Sequence, residues 1–165
     1  MPVDDRRRLG WVFVAVQAML IVALVVLPGR DDWATPDWLR LLANGITALG
    51  VVGMAVAALR LGRALTPTPV PKDDAALVVA GLYRFVRHPI YTGVLTIVIG
   101  IVLRSGSVVT AALGIVTFAF FTVKAMWEER RLAERYPDYE AYAVRTPRFI
   151  PRPWALGAGR GPARR

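Results

Sequence analysis

Along the chain, apolar residues gather into four blocks instead of recurring singly on one amphipathic face. The blocks run from 11 to 28, 41 to 59, 90 to 103 and 108 to 126, and charge enters them only at Lys124, near the end of the fourth. At about 1.5 Å per residue the first, second and fourth extend about 27 to 29 Å as helices, against a hydrocarbon core of roughly 30 Å, so each is predicted to span a bilayer. The third extends only about 21 Å. Pro89, favoured in a first helical turn, precedes it, and only Arg104 to Ser107 separate it from the fourth block, which predicts a tight helical hairpin. A short helix starting below the bilayer surface holds its N-terminal amides and positive dipole end in a recess that suits an anionic group. A bilayer thinned around a short span explains the same pattern.

The expected fold is therefore all-α: about four transmembrane helices, a short third one, and a helical C-terminal tail on the cytoplasmic side. Residues 1–154 read as one membrane domain and 155–165 as a flexible basic tail. Within the second block Gly53 and Ala57, with Gly45, Ala48 and Gly50 nearby, form a small-residue stripe on which another helix can pack. Thr66 to Pro71, with every second residue proline, is a stiff linker.

Composition narrows the classes. Of 165 residues 55% are apolar and 20% charged, which excludes a disordered chain and argues against an ordinary soluble domain. There is no cysteine, so disulfides, thiolate nucleophiles and Cys-based zinc sites are excluded, and the single His88 excludes a His-cluster metal site; no metal is expected. The net charge is +9. The basic residues flank the apolar blocks instead of lining one face of a soluble fold, so nucleic acid is not an expected partner. Lys and Arg number three before the first block, five from Arg60 to Arg87 and ten from Lys124 onward, eighteen on one side against three on the other. By the positive-inside bias the first side is cytoplasmic, with both termini, in the inner or plasma membrane. The first block reads as a retained signal anchor.

Three polar clusters fall on the basic side. In Gly81 to Gly93, the residues Arg84, Arg87 and His88 precede the short helix and Tyr91 and Gly93 lie in its first turn, an arrangement that suits an anion or cofactor clamp. Interfacial arginines, an aromatic belt and a capping histidine explain the same residues. Glu128 and Glu129 continue the fourth helix; being about 100° apart they leave one to face any given pocket, and Glu128 has Arg131 three residues on as an ordinary partner. Tyr136, Tyr139 and Tyr142 recur every three residues, followed by Arg145, Arg148 and Arg152 with Phe149 and Trp154 interleaved, a pattern suited to lipid-surface anchoring. Arg145 follows the tyrosine face directly, where a guanidinium can hold a carboxylate bidentately.

At these residues the sequence resembles the isoprenylcysteine carboxyl methyltransferases, membrane enzymes akin to the phospholipid methyltransferases. The likeness covers roughly residues 65 to 154. It is carried by Gly81-x-Tyr83-x-x-Val86-Arg87-His88-Pro89-x-Tyr91-x-Gly93, then Glu128-Glu129-x-x-Leu132, then Tyr139-x-x-Tyr142-x-x-Arg145-x-Pro147 ending in Phe149-Ile150-Pro151. The resemblance implies that Tyr83, Arg87, His88, Pro89, Tyr91, Gly93 and one of Glu128 or Glu129 surround S-adenosyl-L-methionine, leaving S-adenosyl-L-homocysteine as product. It further implies that Arg145, with Arg87, acts on the substrate carboxylate. The chain departs from the family where a Phe-Gly pair is usual near Tyr136-Pro137.

A carboxylate is already ionised at neutral pH and needs no general base to attack a sulfonium methyl, whereas an amine must first lose a proton. The partners implied are membrane lipids and a lipid-like or prenylated acid. Three other readings stay open: a phospholipid or small-molecule methyltransferase of the same fold, an NADPH-dependent reductase of the kind distantly similar membrane sterol reductases represent, and a non-catalytic membrane adaptor.

Overall fold

The computed structural model describes residues 3–27, 32–62 and 77–152; the proline-rich linker, Trp154 and the basic tail lie outside them. In order come α1 (Val3–Val26), α2 (Asp37–Leu61), one 3-10 turn (Gly81–Arg84), α3 (Pro89–Ser105), α4 (Val108–Arg135) and α5 (Tyr139–Arg145), with no strand among the described residues. α1, α2 and α4 are long and apolar enough to cross a bilayer, and α3, with 17 residues, is the short arm of the hairpin. α4 runs past its apolar block and carries the acidic pair on the continuing helix.

Large apolar side chains point outward: Leu59 is 81% exposed and Leu41 74%. The buried positions of α2 are small, Ala43, Gly50 and Ala57, and those of α3 include Gly93 and Gly100. This is the packing of an integral membrane protein, where lipid gives no drive to bury Leu and close backbone approach holds helices together. At the α2–α3 crossing a Cβ on Gly50 would lie 2.8 Å from the Gly93 carbonyl oxygen, and one on Gly93 would lie 2.7 Å from Met54 Cβ. The seam therefore keeps Gly50 and Ala57 of the expected stripe and leaves out Gly45 and Gly53. A Cβ on Gly45 or Gly53 would meet nothing within 4 Å. Gly45 lies about 140° around the helix from Gly50 and Gly53 only at the seam's edge.

The hairpin turns at Gly106, whose φ of 57° is left-handed, and Ser107 caps α4 by accepting the Thr110 N–H. The connection from α1 to α2 clamps this turn. Asp32 and Trp33 donate their N–H groups to the Gly106 carbonyl at 3.0 and 3.2 Å, and the Asp32 carboxylate accepts the Val108 N–H at 2.8 Å. α1 packs on α4 through Phe13, whose ring centroid lies 6.0 Å from Phe120 and 5.5 Å from Trp127.

Candidate active site

Pro147 ends α5, since the residue before a proline avoids the helical region, and Thr146 is extended at φ −116° and ψ 118°. The chain after it lies as a strap across the start of α3. Arg87 donates its N–H to the Pro147 carbonyl at 2.8 Å and His88 to the Arg148 carbonyl at 3.2 Å, while Thr92 Oγ1 donates to the Phe149 carbonyl at 3.0 Å. α4 brings Glu128 and Glu129 to the same place.

His88 is buried between the two carboxylates, Nε2 3.1 Å from Glu129 Oε1 and Nδ1 3.7 Å from Glu128 Oε2. Glu129 also accepts both prongs of Arg148, Nε and Nη2, at 2.8 Å each, and lies 3.3 Å from Arg87 Nη2. The Tyr91 hydroxyl donates to Glu128 Oε2 at 2.8 Å, and its ring stacks on His88 with centroids 5.2 Å apart. Phe149 and Phe121 complete an aromatic wall, 6.1 Å from His88 and 5.1 Å from Tyr91 respectively. Both carboxylates meet one imidazole, which offers a nitrogen on each side, while of the two only Glu129 lines the open cavity beside them, as their offset of about 100° predicts. One expectation is corrected here. Arg131 pairs with Glu134 at 2.8 Å, not with Glu128. At the start of α3 the chain's own Glu128 is held by a first-turn tyrosine.

The electrostatics follow from this pairing. Hydrogen bonding to Glu129 holds the Arg148 guanidinium above its ordinary value. Burial pushes the Tyr142 phenol up to about 12 and raises Tyr83 and Tyr139 as well.

Of the residues expected at the site, Arg87, His88, Tyr91, Glu128 and Glu129 converge. Pro89 is buried at the helix start. Tyr83 is buried in the 3-10 turn, its carbonyl accepting the Tyr142 hydroxyl at 2.5 Å. Gly93 faces α2 instead of the carboxylates. Arg145 is exposed and turned back on its own helix, Nε donating to the Ala141 carbonyl at 3.1 Å, apart from the cluster. Tyr139 and Tyr142, expected at the lipid surface, are buried, 3% and 7% exposed. Arg148 and Phe149 were read from the sequence as part of a basic, aromatic segment and not as site residues; the readable signal was Pro147, which frees the following residues from the helix.

An open cavity of about 300 Å³ adjoins the cluster, lined by Arg87, Glu129, Arg130, Tyr139, Glu140 and Arg148 among others. Arg87 Nε and the Tyr139 hydroxyl are buried without a hydrogen-bond partner. Such atoms are costly unless a ligand or water meets them.

Residues 38–139 match the family model described as phospholipid methyltransferase. A nickel-cobalt-cadmium resistance protein of Alcaligenes xylosoxydans xylosoxydans is 28% identical over 156 residues, which is 92% of this chain and 69% of that protein. Protein-S-isoprenylcysteine O-methyltransferase B of Arabidopsis thaliana is 27% identical over 136 residues, 79% of this chain and 67% of that protein. Among solved structures, the eukaryotic intramembrane Ras methyltransferase, an isoprenylcysteine carboxyl methyltransferase, matches with a TM-score of 0.62 at 24% identity, covering 90% of this chain. The fold is shared, and this chain spans 51% of that one.

Proposed function

Because the chain belongs to the phospholipid methyltransferase family, we propose that it uses S-adenosylmethionine to methylate a lipid-like acceptor dissolved in the membrane, at a carboxylate such as that of an isoprenylcysteine. The observation that carries this reading is the pair of unpartnered buried atoms, Arg87 Nε and Tyr139 Oη, beside a cavity that also holds two carboxylates and two further guanidiniums. That donor set fits an amino-acid end with a nucleoside attached: guanidiniums for its carboxylate, carboxylates for its ammonium and ribose hydroxyls. When bound, S-adenosylmethionine supplies an electrophilic methyl on a positive sulfur, which a carboxylate oxygen takes without releasing a proton, leaving a neutral ester and a neutral thioether.

The chain's own contribution is holding, orienting and excluding water. Arg87 and Tyr139 bind; Glu129, fixed by Arg148 and His88, orients Arg87; Tyr91 and Phe149 pack on the His88 ring. An amine acceptor needs a base, and here His88 and Glu129 are hydrogen-bonded to each other, Glu129 also to Arg148, and Glu128 to Tyr91. That supports a carboxylate as acceptor. In this reading the basic face and both termini are cytoplasmic.

Isothermal titration of S-adenosylhomocysteine into detergent-purified wild type and Glu128→Ala tests the cofactor. Micromolar binding that weakens tenfold or more in the variant is expected; a folded wild type that binds nothing overturns the reading. Incubation with methyl-labelled cofactor and lipid extract tests the acceptor. A carboxyl ester releases volatile label in mild alkali, whereas a methylated phospholipid amine keeps it.

A further inference from the structure

Lys124 belongs to none of the contacts described so far. It is 3% exposed, at the end of a block in which residues 108–123 carry no charge. Its Nζ donates to Gln17 Oε1 of α1 at 2.5 Å. The same atom lies 5.2 Å from the ring centroid of Tyr91 and 5.8 Å from that of Phe121. An ammonium within an apolar helix is expensive, and one kept inside a bundle marks a substrate or ion path more often than a structural pair. The hydrogen-bond partner here is a neutral amide that uses one of three N–H donors. The nearest acidic residue along α4, Glu128 one turn on, is itself engaged with Tyr91.

We propose that Lys124, covered by Gln17, is the binding group for the anionic head of the membrane-dissolved acceptor. The inference rests on the carboxylate reading above and adds to it where the carboxylate is held. Other cations near the cluster are placed differently. Arg87 and Arg148 are engaged by Glu129, and Arg145 is exposed on α5. Lys124 stands one helical turn before Glu128 on α4, on the apolar-block side of the acidic pair. The acceptor carboxylate takes the place of the Gln17 amide on the ammonium, and the flanking aromatic rings, by excluding water, strengthen that ion pair. It then lies one aromatic ring away from Glu128, since the Tyr91 ring that Lys124 overlies ends in the hydroxyl bound to that carboxylate. Methylation removes the acceptor's charge and with it the attraction to Lys124, which favours departure of the ester over the acid.

The test uses the full chain, detergent-purified and saturated with S-adenosylhomocysteine, titrated with N-acetyl-S-farnesylcysteine and with its carboxamide. These probes differ in charge and little else. Wild type is expected to prefer the acid at least tenfold, and Lys124→Met to bind both at the carboxamide's affinity. Lys124→Arg and Gln17→Leu should keep the preference, because each retains a cation. Unchanged S-adenosylhomocysteine affinity in every variant reports an intact fold; should Lys124→Met fail this check, Lys124→Gln carries the same comparison. A Lys124 variant that preserves the wild-type preference overturns the assignment while leaving the proposed function standing. A wild type that binds the cofactor product but does not discriminate between the probes overturns the carboxylate reading and this inference together. Displacement of the acid by equimolar phosphatidylglycerol identifies a lipid-headgroup site and also overturns the assignment.

Discussion

Glu129 gathers three basic side chains, Arg148 through two hydrogen bonds, His88 and Arg87, and is itself only 12% exposed. Glu129→Gln keeps the shape and removes the charge. Breaking a fully buried pair costs about 3–5 kcal/mol, and with Arg148 at 30% exposure a cost of about 2 kcal/mol is expected, read as a lower unfolding temperature in detergent. S-adenosylhomocysteine binding should fall with it, because Arg87 loses its orienting partner. A second prediction concerns alkali. An unfolded tyrosine ionises near pH 10 while Tyr142 is held to about 12, so its contribution is complete below pH 10 and declines as pH rises toward 12. Tyr142→Phe removes the hydrogen bond to the Tyr83 carbonyl, should cost about 1 kcal/mol at pH 8, and should flatten the loss of unfolding temperature above pH 10. Tyr83 and Tyr139 shift the same way, so some decline persists. At this scale the sequence exposed the residues that crowd one membrane boundary, His88, Tyr91 and the acidic pair. It did not separate Arg145 from Arg148, because both are arginines in one short basic segment and only the strap decides which of them meets Glu129.

The helices themselves were readable, since a run of apolar residues long enough to span leaves few alternatives. Their mutual rotation was not. Gly53 and Gly50, both in the expected stripe, lie about 60° apart on a helix wheel, and composition alone does not show which of them meets α3. A matched pair of substitutions follows. Gly50→Ala places a methyl against the Gly93 backbone and Ile97, and should destabilise by about 1–3 kcal/mol, seen as lower yield and unfolding temperature. Gly53→Ala meets open space and should be neutral or stabilise by up to about 1 kcal/mol through helix propensity. The inward turn of Tyr139 and Tyr142 was hidden for a related reason: a three-residue spacing marks one face of α5, and only the packing of that face shows whether it meets lipid or protein.

For the molecule as a whole, the charge asymmetry and the hairpin predict one topology, with Arg104 and the basic end of α4 on opposite sides of the membrane. The absence of cysteine allows a test on a silent background. In intact cells a membrane-impermeant maleimide should label Arg104→Cys and leave Glu140→Cys unlabelled until the membrane is opened; the reverse pattern inverts the orientation. The strap at residues 147–149 has a further consequence, in the order of synthesis. His88 and Tyr91 are made first, the acidic pair some forty residues later, and Arg148 last. At about 5–20 residues per second, the start of α3 exists for about 3–12 s before the segment that covers it. The helices can be in the membrane during that interval, but Glu129 has no fork to hold it and the His88 and Arg87 amides have no carbonyls. The growing chain therefore gains its polar cluster only after its membrane-crossing part is complete.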